Sequence, residues 1–429
     1  MKKVLAILMA ALLLLPAGCS GKKQAQDGKT AFTLGVPGGD STTPMQVVDN
    51  FIETNKDKYD VQVDTGAWGD FMQKIKLQMV AKNDVTTVFF TDSLEAPSFS
   101  SQGVLEDLTA RVDKDIDESL YSKALFALKD DKGLWGIPHA INPIAVAYNK
   151  EIFDEKGMPY PTEEWTFDEM LEMAKQLTFD RDGDGETDVY GIAYSTAVTT
   201  GWWPFMLAND ANPYKDNFRN SNLSDPKIQD TYEKYQKPFL EGTVPHGAVV
   251  SAYSNTDVMF ADGRLAMNIM TASGNGRVNN LGPDLNWDVQ IMPYGWNGKR
   301  PLVYVPNVWV MYSGATDAQK DAAWNWMQHW LSEESQIAVA NANLGYPVMK
   351  KALDTAASNG LKPESKDAYY REIDTYGVTI LENPCSSQAS QVIQKLANDV
   401  RDNLAPIPEL IEKADKEMQE ELDFYYEGL

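Results

Sequence analysis

Between residues 31 and 93, short apolar runs alternate with amphipathic segments whose apolar residues recur with the period of a helix. The runs AFTLGVPGG (31–39) and YDVQVDTG (59–66) alternate apolar and polar positions before a glycine, and TVFFTDS (87–93) is compact and apolar. Between them, TPMQVVDNFIETN (43–55) and WGDFMQKIKLQMVAKND (68–84) carry apolar residues at helical spacing. Strands that alternate with helices predict an α/β layer with a mainly parallel sheet.

Two later segments have the pattern of helices with one buried face. In TEEWTFDEMLEMAKQLT (162–178), Thr166 and Glu169 form a capping-box pattern. Trp165 directly precedes the N-cap Thr166, where an apolar residue often packs on the first turn of the helix as a hydrophobic staple. In DAAWNWMQHWLSEESQ (321–336), Trp326 and Trp330 lie four residues apart. This spacing predicts that both indoles belong to the core.

The loops after the first three predicted strands are candidates for a ligand site. They are PGGDS (37–41), DTGAWGD (64–70) and FTDSLE (90–95). Because the carboxyl ends of parallel strands meet at one edge of a sheet, these loops are expected to lie together where open α/β folds bind ligands.

The amino terminus has the pattern of an export signal. Two lysines precede an apolar run from Val4 to Leu15, which is too short for a membrane helix and typical of a signal peptide. Small residues then precede Cys19 in PAGC, as in a bacterial lipobox, although Pro16 stands where that pattern usually has Leu. The sequence predicts a signal peptide (1–18), a lipidated Cys19 and a polar tether (19–30); simple secretion is the alternative.

Composition narrows the classes of partner and cofactor. The formal net charge of −24 argues against nucleic acid and anionic lipid as partners, so membrane contact is expected through the lipid anchor only. Cys385 is the only cysteine besides Cys19, which leaves no intramolecular disulfide once Cys19 is acylated. The three histidines are dispersed and lack the spacing of a zinc site.

Several motifs occur in a known order along the chain. They are GLWGIPHAINPIAVAYNK (133–150) with Gly157 and Trp165, GVLEDLT (103–109) and FADGRLAM (260–267). With these motifs the chain resembles the extracellular solute-binding proteins, family 1, the substrate receptors of ABC sugar importers, which share the architecture of maltose-binding protein. It departs from the family pattern in TASGNGR (271–277), where an aromatic residue that stacks on sugar is common.

The resemblance implies a two-lobe, type II periplasmic-binding-protein-like fold with ligand held between the lobes. Lobe 1 would comprise residues 31–139 with 303–335, and lobe 2 residues 140–302 with 336–429. The hinge crossings would fall near 138–140, 301–305 and 331–335. Each lobe would be a mainly parallel sheet flanked by helices, and ligand that touches both lobes would favour the closed state.

A carbohydrate site needs flat aromatic rings together with side chains that both donate and accept hydrogen bonds. Aromatic residues in loops are better candidates than those at helical spacing, and at least one of Trp202 and Trp203 is expected to face the cleft. The predicted ligand contacts are Trp68, Asp40, Asp92, Asn142, Trp202, Trp203, Asn307, Tyr304 and Tyr346.

Most of these candidates also have a structural interpretation. Asp40 and Asp92 could instead cap loops, and Tyr304 and Tyr346 could serve only in packing. Arg264 and Arg277 could bind an acidic group such as a uronate; Arg264 is expected in a structural ion pair, and the role of Arg277 stays open. Asn212 could equally be a turn residue.

The stretch DRDGDGETD (180–188) resembles the first nine positions of a calcium loop. Asp180, Asp182 and Asp184 occupy positions 1, 3 and 5, Gly185 the turn position and Asp188 position 9, but position 12 is Gly191 instead of glutamate. The sequence predicts a structural Ca²⁺ far from the ligand; a solvated turn is the alternative. The predicted metal residues are Asp180, Asp182, Asp184, Glu186 and Asp188.

The resulting functional hypothesis is a non-catalytic, monomeric lipoprotein on the extracellular face of the bacterial cell membrane. It would capture a carbohydrate, an oligosaccharide in the first instance, and deliver it to an ABC permease. A surface glycoside hydrolase would need two carboxylates across a scissile bond, and no motif singles out such a pair. A calcium-dependent adhesin and a receptor for a polyamine or an amino acid are competing hypotheses.

Overall fold

The computed structural model describes residues 28–93, 95–379 and 386–427. The predicted signal peptide, Cys19, Cys385 and most of the tether lie outside these residues. Within them, no helix combines the length and apolar character that crossing a membrane requires.

The described residues form eleven strands and seventeen α-helices. The strands are β1 Thr30–Gly35, β2 Tyr59–Asp64, β3 Val88–Asp92, β4 Ile137–Asn149, β5 Tyr190–Ala193, β6 Tyr214–Lys215, β7 Asn220–Ser221, β8 Leu265–Thr271, β9 Trp287–Gln290, β10 Leu302–Met311 and β11 Gly377–Thr379. The helices are α1 Met45–Asn55, α2 Trp68–Ala81, α3 Ala96–Ser101, α4 Thr109–Asp115, α5 Lys150–Lys156, α6 Phe167–Gln176, α7 Trp202–Ala208, α8 Pro226–Leu240, α9 Gly247–Ala252, α10 Thr256–Ala261, α11 Gly274–Leu281, α12 Asp317–Trp330, α13 Glu333–Ala342, α14 Lys350–Ser358, α15 Ile373–Tyr376, α16 Ser386–Arg401 and α17 Ile407–Glu427. Short 3-10 helices occur at Gly39–Ser41, Glu118–Leu120, Lys123–Phe126 and Lys366–Tyr369.

Nine of the strands belong to one sheet, with the order β2-β1-β3-β10-β4-β8-β5. The pairs β1–β2, β1–β3 and β5–β8 are parallel, as the sequence predicts for strands joined through helices. The long strands β4 and β10 run antiparallel to each other and to β8 and β3. β11 adds a parallel partner to β10, and β9 adds an antiparallel partner to β4.

Strand β4 divides the sheet because it exchanges partners along its length. Its residues up to Pro143 pair with β10, whereas residues from Ile144 onward pair with β8 and β9. We call β1, β2, β3, β10, β11 and the first part of β4 the first sheet half, and the rest of β4 with β5, β8 and β9 the second sheet half. Residues 141–144 of β4 and the adjacent residues 304–307 of β10 form the strand crossing.

Both faces of the first sheet half are covered. Along β3, Val88 and Phe90 join the main core, while Phe89 packs with α2 in a second core on the other face. This alternation follows from the two-residue period of a strand, and it confirms the α/β layer with helices on both sides.

The helices predicted from periodicity are confirmed with their buried faces. Trp326 and Trp330 of α12 are fully buried, and Thr166 with Glu169 forms the capping box of α6. Trp165, just before that box, is buried and donates its indole N–H to the Ile291 carbonyl at 2.8 Å.

The lobe limits given by the resemblance stay a prediction. The chain beyond residue 335 contacts both predicted lobes. Tyr346 exchanges backbone hydrogen bonds of 2.8 Å with Ile141 of predicted lobe 2, and the Val348 carbonyl accepts the Ser122 N–H of predicted lobe 1 at 2.8 Å.

Candidate functional site

The loops after β1, β2 and β3 lie together, as the sequence predicts. Val36 N–H donates to the Asp64 carbonyl and Gly38 N–H to the Gly66 carbonyl, both at 2.8 Å. Gly38 needs its left-handed φ of 81° to turn the chain there. Asp40 follows on the exposed 3-10 helix at this edge.

Trp68 stands at the start of α2 beside these loops and is half-buried. Its ring meets the edge of Phe90, with ring centroids 5.4 Å apart. Phe90 in turn stacks on the His139 imidazole at 4.3 Å. The indole is therefore held from one side by the core while part of it stays accessible, which suits a stacking surface for a ligand.

Asp92 and Asn307 meet where the third loop reaches the strand crossing. They are backbone partners across β3 and β10, and both are half-buried. One oxygen of Asp92 accepts the backbone N–H of Glu95 at 3.0 Å, so the predicted capping role is present beside the proposed ligand role.

Asn142 connects the strand crossing to the second sheet half. Its Nδ2 donates to Ser273 Oγ at 2.9 Å, and its Oδ1 accepts the Ser273 backbone N–H at 2.8 Å. Ser273 is exposed just before α11, and its Oγ also lies 3.1 Å from Thr271 Oγ1. Nothing in the sequence points to Ser273, because a serine in a polar loop has no distinctive signal.

Four aromatic candidates are buried instead of exposed. Tyr304 and Tyr346 are only 7% and 3% exposed, and Tyr346 packs on Tyr370 with ring centroids 4.9 Å apart. Burial raises the pKa of the Tyr346 hydroxyl well above its usual value. A packing role for these tyrosines thus fits their surroundings.

Trp202 and Trp203 depart from expectation in the same way. Each is 2% exposed on α7, and the two rings meet edge to face with centroids 5.9 Å apart. Neither ring offers a face to solvent in this conformation, because both lie within the core around α7. A direct contact with ligand would require the surroundings of α7 to rearrange.

His139 is a buried polar group behind the site. It stacks between Phe90 and Trp330, at 4.3 and 4.6 Å, and its Nε2 lies 3.0 Å from Thr43 Oγ1. Burial lowers the pKa of the imidazole from 6.5 to about 3. Only the tertiary packing reveals this role, since a lone histidine in a strand pattern gives no such signal.

The remaining sequence candidates have structural partners. Arg264 donates to Asp188 at 2.8 Å, as expected for an ion pair, and Arg277 donates to Asp257 at 2.7 Å. Asn212 Oδ1 accepts the Tyr214 N–H at 3.0 Å, as in a turn.

The aspartate loop, residues 180–188, lies between α6 and β5. It is therefore at the amino end of β5, and the loop that follows β5 lies at the other end of this strand. Carboxylate oxygens of Asp180, Asp182 and Asp188 lie within 4.8 Å of one another. Both oxygens of Asp180 accept backbone N–H groups, from Gly185 at 2.7 Å and Gly183 at 2.6 Å, which lowers the pKa of that carboxyl.

Two of the predicted metal residues stand outside this group of three. Asp184 Oδ1 accepts the Glu186 N–H at 2.8 Å, and both residues are exposed. Oxygen donors at this spacing fit the preference of Ca²⁺, although Asp188 already pairs with Arg264.

A family model describing bacterial extracellular solute-binding proteins matches residues 46–364. This match covers most of the chain, so the protein belongs to that family. The resemblance inferred from the motifs is confirmed.

Two curated relatives illustrate the relationship. A putative binding protein of Brucella abortus is 22% identical over 281 residues, which is 63% of this chain and 66% of the relative. The maltotriose-binding protein of Pyrococcus abyssi is 25% identical over 264 residues, or 60% of this chain and 53% of the relative. The alignments thus span less than two thirds of these relatives.

A solved structure matches the fold over almost the whole chain. An ABC substrate-binding protein of Listeria monocytogenes in complex with cycloalternan superposes with a TM-score of 0.78 at 19% identity, covering 91% of this chain and 98% of that structure. The type II, two-lobe class of binding-protein fold is thereby confirmed.

Proposed function

We propose that this protein captures a carbohydrate, in the first instance an oligosaccharide, between two lobes and delivers it to an ABC permease. The observation that carries the proposal is the placement of Asp92, Asn142 and Asn307 on the paired strands of the crossing, with the half-buried Trp68 packed on Phe90 of β3. One accessible indole beside carboxylate and amide groups suits the apolar faces and hydroxyl rim of a sugar. The relatives that bind maltotriose and cycloalternan support the same class of ligand.

The protein acts as a receptor and not as an enzyme in this proposal. Its family and fold are those of solute-binding proteins. In this proposal the two sheet halves move relative to each other about the strand crossing and close around the ligand. Acylation of Cys19 would hold the monomer on the extracellular face of the cell membrane beside its permease.

Structural calcium in the aspartate loop is a second part of the proposal. The close carboxylates of Asp180, Asp182 and Asp188 support it. A cation there would offset their mutual repulsion and tie the end of α6 to the start of β5, at a distance from the sugar.

Thermal melting tests the proposal. The protein lacking residues 1–19 would be melted with neutral oligosaccharides, polyamines and amino acids, and each mixture analysed by chromatography. Ligand that binds only the folded state stabilises it by about 2.7 kcal/mol at a hundredfold excess over Kd. We expect a higher midpoint with a set of sugars that stay intact. Cleavage of the sugar would favour the glycoside hydrolase hypothesis. A higher melting midpoint with polyamines or amino acids alone would overturn the proposal that the ligand is a carbohydrate.

A further inference from the structure

A second pocket lies at the carboxyl end of β5, beyond the residues that the sequence analysis singled out. Its volume is about 550 Å³, within the range of about 300–1,000 Å³ typical of small-molecule sites. Its walls come from the loop after β5, from α9, from the start of α10 and from the last turn of α16.

The floor of this β5 pocket is aromatic and fixed. Tyr194 and Phe239 are buried beneath it, with ring centroids 5.2 Å apart. The Tyr194 hydroxyl donates to the Tyr235 carbonyl at 2.9 Å, which holds its ring in place. Because both rings are almost fully buried, they fix the shape of the base and do not offer a stacking face, so contact with a ligand falls to the polar rim.

The rim of the pocket is rich in groups that donate and accept hydrogen bonds. Its serine and threonine residues are Ser195, Thr196, Ser251, Ser254 and Thr256, and an exposed His246 stands beside them. Hydroxyls, which both donate and accept, match a polyhydroxylated ligand better than one with few polar atoms.

The charged residues of the pocket neutralise each other. Arg401 donates from Nε and Nη2 to the two oxygens of Asp402, each at 2.7 Å. Its guanidinium lies over Gly247, where an added Cβ would come within 3.0 Å of Arg401 Cζ. Because the arginine is already satisfied by a bidentate carboxylate, the pocket favours a neutral ligand over an anion.

Residues of the second sheet half connect this pocket to the strand crossing. Asn142 bonds to Ser273, and a Cβ added at the next residue, Gly274, would come within 2.9 Å of the Asp257 carboxylate. Asp257 follows Thr256 of the pocket rim in sequence. In the second sheet half, β8 lies between β4 and β5, so the strand of the crossing and the strand that leads into the pocket are about 10 Å apart by strand spacing.

We propose that the β5 pocket binds the far end of a neutral oligosaccharide whose near end lies at the strand crossing beside Trp68. This inference rests on the proposed carbohydrate function and specifies the length and charge of the ligand. It predicts that the protein selects oligosaccharides over monosaccharides, because only a chain of sugar units reaches both places.

Filling the pocket tests this inference by calorimetry. Two series of sugars serve as probes. The first runs from glucose to maltopentaose, and the second from galactose to galactooligosaccharides of increasing length. Ser251→Trp fills the pocket, with Ala248→Trp on the same wall as a second filling variant. Ala252→Trp is the matched control, since Ala252 is exposed on the same helix α9 and is not part of the pocket lining.

Within the series of sugars that the protein binds, we expect the affinity of the unmodified protein to rise with the number of sugar units. Both filling variants should raise Kd of the longest sugar by about tenfold or more, and that of the shortest bound sugar by less than about twofold. Sugar binding that both filling variants leave unchanged, or weaken equally at every length, would overturn the inference while the proposed function stands. Absence of binding heat with every sugar of both series would contradict both this inference and the proposed function.

Discussion

The side chain of Asn142 holds Ser273 by two hydrogen bonds, one to its hydroxyl at 2.9 Å and one from its backbone N–H at 2.8 Å. This contact connects the strand shared by both sheet halves to the residue just before α11. Asn142 thus uses one donor and one acceptor within the protein, and it keeps one N–H and part of its oxygen for a ligand.

A double-mutant cycle measures this contact. Asn142→Ala, Ser273→Ala and the double variant would be unfolded in urea. We expect a coupling energy of about 0.5–1.5 kcal/mol, because the Oγ hydrogen bond is lost in either single variant. Strictly additive changes in the free energy of unfolding would show that the two side chains do not depend on each other.

Trp68→Ala tests the stacking surface. Removing the indole should raise Kd for a bound sugar by about tenfold, or about 1.4 kcal/mol, because the accessible part of the ring would be lost as a stacking surface. Trp296→Ala serves as control, since Trp296 is also half-buried but donates to Asp168 at 2.9 Å and packs on Phe167. Equal affinities of Trp68→Ala and the unmodified protein would remove Trp68 from the site.

Calcium should raise the melting midpoint relative to EDTA. Asp182→Asn removes a charge from the group of three carboxylates and should abolish most of this shift, measured by scanning calorimetry. Asp184→Asn should retain it, because the Asp184 carboxylate stands outside that group. Identical midpoints in calcium and EDTA would favour the solvated turn, and loss of the shift in Asp184→Asn would restore that residue as a ligand.

His139 should make stability depend on pH below 6.5. Its folded-state pKa of about 3 lies below the unfolded value, so the unfolded chain binds more protons between these limits. The stabilising contribution is complete above about pH 6.5 and declines as pH falls toward about 3, by at most about 1.4 kcal/mol per pH unit.

His139→Phe keeps a ring between Phe90 and Trp330 but does not titrate. Urea unfolding of both proteins between pH 6.5 and 4 should therefore give a shallower pH dependence for His139→Phe, since the carboxylates titrate in both. Partly buried His329, whose pKa is also lowered, contributes equally to the two curves. Parallel curves would show that His139 is accessible to protons in the folded state.

The sequence predicts those parts of the molecule that depend on local pattern. Trp326 and Trp330 are recognisable as core because their spacing matches one helix face, and Thr166 with Glu169 is recognisable because a capping box is local. The gathering of the three loops follows from the parallel order of their strands.

The contacts that a local pattern cannot reveal are those between distant segments. Asn142 and Ser273 are 131 residues apart, and no period or spacing relates them. Trp202 and Trp203 are expected in a loop because they stand beside a proline after Gly201, whereas that stretch forms the short buried helix α7. Their burial depends on residues contributed by other elements.

The place of β10 in the sheet has a consequence for how the chain acquires its fold. Asp92 and Asn307 are neighbours across β3 and β10, yet about half of the chain lies between them. The first sheet half thus lacks its inner strand β10 until all strands of the second sheet half have been synthesised. The apolar edge of β3 stays unpaired during that time. Pairings of such long sequence separation form slowly and leave strand edges prone to aggregation. Folding should therefore finish late, after the polypeptide through Met311 is available, and a chain truncated before β10 should aggregate instead of forming an independent lobe.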